Sequence, residues 1–211
     1  DDFRIRFEVA FDDMFGNAYK HRPRKFLKNK VAAAFNKAVY VLENGVAVKL
    51  ADATTRECRC KIRRGGVADL RADRGQDCPD SERLGAFVSF AGGRVETNAE
   101  GRPVVNICGF AFMNEYMDRL GLIILHEVLH VADADIKDEL MKDGTKAYGA
   151  TRCRQLALQP QGRPLLNADS YVEFVNAVMI ARQKHAPRSP DTSYPVPVIA
   201  INPTFHPFGE L

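Results

Sequence analysis

Long apolar runs are what this sequence most plainly lacks. The longest, around Leu120 to Leu125, falls far short of the roughly 20 apolar residues that a membrane-spanning helix needs, so no membrane span is expected. A strong charge of either sign is missing too, the formal net charge being +3 over 211 residues. That balance makes no case for a nucleic-acid or membrane partner. Cysteine is sparse, at five residues (Cys58, Cys60, Cys78, Cys108 and Cys153). No second cysteine pair stands at zinc-finger spacing, which argues against a structural zinc. Cys58 and Cys60, one residue apart on an alternating segment, should share a face. The odd count fits one or two disulfides in a secreted protein with at least one thiol left free. Tryptophan is absent, which excludes nothing. There are no repeats and no low-complexity tract. Neither an initiator methionine nor a signal peptide precedes "DDFRIR", so a mature or excised piece of a longer chain is expected.

What is present is the composition of an ordinary globular protein, 45% hydrophobic and 27% charged. The length suits one domain with a sizeable core. "FRIRFEVAF" alternates apolar and charged residues, with Phe3, Ile5, Phe7 and Val9 on one side, and predicts a strand. "RKFLKNKVAAAFNKAVYVLEN" has helical spacing and a stop at Asn44-Gly45. "GVAVKLA", "ECRCKIRR", "GAFVSFAGG" and "RPVVNICGFAF" predict strands. Residues 63–85, rich in Arg, Asp and Gly, predict a long solvated loop whose acidic residues offset its arginines. "EYMDRLGLIILHEVLHVADAD", "TKAYGATRCRQLAL" and "NADSYVEFVNAVMIARQK" predict helices. Strands first and helices after argue for an α+β fold. The expected organisation is one domain over 1–186 and a Pro-rich tail over 187–211 that packs on it or extends from it.

The segment "LIILHEVLH" carries chemistry. His126 and His130 stand four apart, so on a helix their rings project from one face and can reach one metal ion. Glu127 lies beside the first, angled toward metal-bound water without binding the ion itself. Zinc lowers the pKa of such a water to about 7 and polarises a peptide carbonyl while the glutamate accepts the water's proton. Three ionisable groups on one face of an otherwise apolar helix are costly to bury unless they bind something. His21, His185 and His206 read as surface residues, with His206 on a tail able to fold back across the site.

"NICGFAF", "LIILHEVLH", "GTKAYG" and "NADSYVEFVNAV", in that order and spacing, span about Asn106 to Val178, roughly a third of the chain. Together they resemble the deuterolysin (aspzincin) family of zinc metalloendopeptidases, which includes the peptidyl-Lys metalloendopeptidases. The resemblance implies a zincin-like fold with an N-terminal sheet-bearing part and a mainly helical C-terminal part. It also implies one catalytic zinc ion and a secreted endopeptidase. His126 and His130 match the zinc-binding histidines, Glu127 the general base, and Tyr148 the tyrosine whose hydroxyl stabilises the oxyanion. Asp169 matches an aspartate lining the substrate site, and Cys108 a cysteine bridged to one upstream, here Cys78 or Cys60.

The family's third ligand, the aspartate of Gly-Thr-x-Asp-x-x-Tyr-Gly, has no counterpart, because only Lys146 and Ala147 separate Gly144-Thr145 from Tyr148-Gly149. Asp143, beside a glycine that permits close approach, is placed first as the replacement, Asp138 second, and Asp169, Asp133, Asp135 and Glu139 behind them. Val172 stands where lysine-specific relatives carry an acidic residue, with Glu173 next to it, so strict cleavage at lysine is not expected. The expected activity is zinc-dependent peptide-bond hydrolysis by a secreted protease or a toxin or effector delivered into a target cell. The alternative is a catalytically degenerate zincin fold that binds peptides or proteins. Expected partners are a protein or peptide substrate and an inhibitor or immunity protein; nucleic acid is not expected.

Overall fold

The computed structural model describes residues 2–16, 22–51, 58, 60–64, 67–71, 85–91, 94–112, 119–159 and 162–185. The expectations for His21, Cys78, His206, the 72–84 part of the loop and the 187–211 tail lie outside the described residues.

The chain opens with a helix, α1 (Asp2–Phe15), where alternation predicted a strand. Alternation and helical spacing compete here, and burial decides between them. Phe3, Ile5 and Val9, which the strand reading would bury together, are exposed. Phe7, Ala10, Phe11, Met14 and Phe15, spaced three and four apart, instead face the core. Helix α2 (Arg24–Glu43) follows as predicted, and the chain leaves it through Gly45 at φ 89°, a conformation that glycine adopts without steric cost. Leu27, Val31, Ala34 and Ala38 are its buried stripe, whereas Val39 and Leu42 are exposed.

The strands come next: β1 (Ala47–Leu50), β2 (Cys60–Arg64), β3 (Val67–Arg71), β4 (Ala86–Val88), β5 (Phe90–Ala91), β6 (Arg94–Val95) and β7 (Val104–Ile107). They form a mixed three-stranded sheet, β1-β7-β4, and two hairpins, β2-β3 and β5-β6. In the sheet β1 runs parallel to β7 and β4 antiparallel to it. The central strand is buried at all four residues, which suits its apolar sequence. Residues 67–71, expected to be loop, pair with β2 in a regular antiparallel ladder, because backbone pairing tolerates a polar sequence. Cys58 lies before β2 and Cys108 directly after β7, and the two form a disulfide with Cα atoms 5.4 Å apart. The expected partners Cys60 and Cys78 are therefore replaced by Cys58; only Cys60 of the Cys58–Cys60 pair belongs to the strand.

Three helices complete the described chain: α3 (Leu120–Ala132), α4 (Gly149–Ala157) and α5 (Ala168–His185). The fold is α+β, with two helices ahead of the strands rather than strands first. The main core joins α1, α2, α3 and α5 through an aromatic cluster of Phe7, Phe11, Phe15, Phe35, Tyr171 and Phe174. Helix α3 lies between this core and the sheet, where Ile123 and Ile124 meet Ala86, Val105 and Ile107. It is thus held on two sides, a rigid mount for side chains on its remaining face. No helix among the described residues is long and apolar enough to cross a membrane.

Candidate metal centre

The histidines leave α3 one turn apart, and their rings meet edge to face with centroids 4.8 Å apart. Helix α3 ends at Ala132, and the chain reverses at once: Ile136 N–H donates to the Asp133 carbonyl and Asp135 N–H to the Asp133 carboxylate. This reversal brings the Ile136 carbonyl to 2.9 Å from His130 Nδ1, and Asp138 to the two rings. Asp138 Oδ1 lies 3.0 Å from His126 Nε2 and 3.4 Å from His130 Nε2, and the two Nε2 atoms are 3.1 Å apart.

The outer ring nitrogens show what these inner atoms are. A carbonyl oxygen only accepts, so His130 Nδ1 must be the donor to Ile136, which leaves the neutral ring's lone pair on Nε2. His126 Nδ1 faces Asp169 Oδ1 at 3.2 Å, and the same reasoning puts its lone pair on Nε2. In the neutral rings, then, two imidazole lone pairs and a carboxylate oxygen converge. Donors about 2.05 Å from a tetrahedral zinc ion sit roughly 3.3 Å apart, close to these separations. The three residues fit such an ion, with the carboxylate and carbonyl behind the histidines that metal-bound imidazoles need.

The electrostatics agree with the geometry. Burial alone would lower the His126 pKa, but its hydrogen bonds with Asp138 and Asp169 outweigh that and push it up to about 10. Burial opposes ionisation of Asp138 as well, yet contacts with His126, His130 and Lys146 hold it well below the usual carboxylate range. A pocket that raises a histidine this far retains positive charge. On His126 that charge is a proton on the nitrogen facing Asp138, and a metal ion held there would take the proton's place.

Glu127 is 6% exposed and borders a cavity of about 230 Å³ together with His126, Tyr148, Asp169, Val172 and Glu173. Burial raises its pKa, against the opposing charges of His126 and His130. Tyr148 stands at the start of α4, its ring centroid 5.7 Å from that of His126. Its hydroxyl donates to Asp138 Oδ2 at 2.8 Å. Burial, then the Asp138 charge, pushes the phenol pKa up, so the hydroxyl stays protonated.

One expectation is revised. Asp143 is not beside the histidines. It sits at the exposed tip of a hairpin in which Met141 N–H donates to Thr145 and Ala147 N–H to Glu139. There its carboxylate accepts from the Thr145 amide and hydroxyl. Asp143-Gly144 is a turn signature, and Gly144 has φ 77°; that doublet was the signal in the sequence that it marks a tip, not a ligand. Asp138 takes the third position because it lies at the base of the same hairpin. Asp169 borders the cavity, but both its oxygens are engaged, one at His126 and the other by the Gly149 amide. It thus lines the cavity as expected and also positions the His126 ring.

Sequence reasoning missed two further residues. Asn167 is completely buried at the start of α5; it accepts from the Glu139 amide and donates to the Ala147 carbonyl, tying both legs of the hairpin to the helix. Lys146 places Nζ 2.7 Å from Asp138 Oδ2 and 2.9 Å from the Tyr148 hydroxyl. No sequence pattern marks either role. Comparison with models of protein families, with curated proteins and with solved structures found nothing that matches this chain.

Proposed function

We propose that the chain is a zinc-dependent endopeptidase of the deuterolysin type, secreted or delivered into a target cell as an effector. The observation that carries this reading is the convergence of two histidine lone pairs and one Asp138 oxygen beside a buried glutamate on the same helix. Zinc held by His126, His130 and Asp138 would supply a Lewis acid that polarises a scissile carbonyl and acidifies water. Glu127, facing the cavity, takes the proton from the attacking water and passes it to the departing amine. Tyr148 turns its hydroxyl from Asp138 to the carbonyl oxygen as negative charge develops there. Asp169 and the Ile136 carbonyl hold the imidazoles in the tautomers that leave Nε2 free. A peptide side chain occupies the cavity walled by Leu122, Ile123 and Val172.

The test is zinc content together with proteolysis. Purified protein should hold one zinc per chain, and Glu127→Gln should retain the metal while losing at least about 100-fold in activity. An equally active Glu127→Gln would overturn the reading. Stoichiometric zinc without cleavage of unfolded protein or a peptide library would favour a peptide-binding module instead.

A further inference from the structure

We propose that Lys146 is a positioning residue of this centre: it restrains Asp138 to one metal-facing oxygen and so frees the Tyr148 hydroxyl for substrate. The second half rests on the peptidase reading above; the first does not.

The two oxygens of Asp138 are divided. Oδ1 faces both histidines, at 3.0 and 3.4 Å. Oδ2 accepts from Lys146 Nζ at 2.7 Å and from the Tyr148 hydroxyl at 2.8 Å. Such charge-assisted bonds are short and directional, and they hold Oδ2 turned away from the histidines. Lys146 also donates to the Tyr148 oxygen at 2.9 Å and lies 5.1 Å from its ring centroid. Its backbone is pinned opposite Leu140 at the hairpin base. Three contacts thus fix an ammonium whose side chain is 46% exposed, a geometry tighter than an ordinary surface ion pair has.

The consequence concerns proton counting. Tyr148 has one hydroxyl proton, and it is given to Asp138. For that proton to meet a substrate oxygen, the hydroxyl must leave Oδ2. Lys146 carries three N–H groups and keeps Oδ2 satisfied when it does. Without Lys146, only the neutral Tyr148 hydroxyl still donates to Oδ2, and that single bond does not keep the carboxylate from turning a second oxygen toward the ion.

Cobalt(II) reads this directly, because four-coordinate cobalt absorbs visible light much more strongly than five- or six-coordinate cobalt. The full chain loaded with Co²⁺ is compared with Lys146→Met and Lys146→Arg, folding being checked by circular dichroism; Lys146→Ala, which also lacks a donor, replaces the methionine variant if that does not fold. Lys146→Met should show weakened absorption as Asp138 becomes bidentate, and Lys146→Arg, still a donor to Oδ2, should keep the wild-type spectrum. With zinc, Lys146→Met should lose about tenfold in kcat with KM within about twofold, since its role lies outside ground-state binding. A wild-type cobalt spectrum in Lys146→Met overturns the proposal whatever the activity. A changed spectrum with unchanged kcat overturns the Tyr148 half. If the wild-type chain cleaves no peptide, the peptidase reading falls while the cobalt spectra still decide the role of Lys146 at Asp138.

Discussion

At the scale of single residues, the informative atoms are the outer nitrogens of the two histidines. Each faces an acceptor, and in the neutral rings that turns both lone pairs inward. The same accounting separates three aspartates that sequence treats as equals. Asp138 offers an oxygen to the two histidines, Asp169 holds the His126 ring from behind, and Asp143 caps a turn. Zinc titration against a chromophoric chelator should rank them. Asp169→Ala should weaken binding by about 10- to 100-fold, as loss of an outer-shell partner does. Asp138→Ala should cost more than that, and Asp143→Ala should leave affinity unchanged. Full zinc affinity in Asp138→Ala would remove it from the ligand set.

Among the elements, α1 shows why period matters. Its sequence alternates over Phe3 to Val9, but the apolar residues from Phe7 to Phe15 recur at three and four, and the core lies on that second stripe. Phe11→Ala should therefore cost about 3–5 kcal/mol in denaturant unfolding, while Ile5→Ser, at a site 62% exposed, should stay within about 0.5 kcal/mol. The reverse order would restore the strand. The hairpin between α3 and α4 matters in another way: beside the backbone bonds of Lys137 and the Arg163–Glu139 pair, the Asn167 side chain ties both its legs to α5. A buried side-chain amide bonded to both legs fixes Asp138 and Tyr148 relative to α5. That arrangement was invisible in the sequence, where Asn167 is one asparagine before a helix.

For the whole molecule, the centre is a junction. Its residues come from α3, from the hairpin that follows it and from the starts of α4 and α5. The metal would then tie together the ends of segments whose middles meet in the core, and a ligand that binds only the folded chain stabilises it by mass action. Removing metal with a chelator should lower the melting temperature, and zinc at about 1,000 times its Kd should restore about 4 kcal/mol. An identical melting curve with and without chelator would show that no such linkage exists. Mixed helix and strand content, the helix bearing both histidines, the stop at Gly45 and the buried central strand were all legible in the sequence, because each depends on neighbours within a few turns or residues. The third donor, the Cys58–Cys108 pairing, the helical state of α1 and the contacts of Lys146 and Asn167 were decided only in the tertiary structure. They depend on where the chain returns after leaving an element, and on which of two competing periodic faces finds a core. Local spacing contains neither quantity.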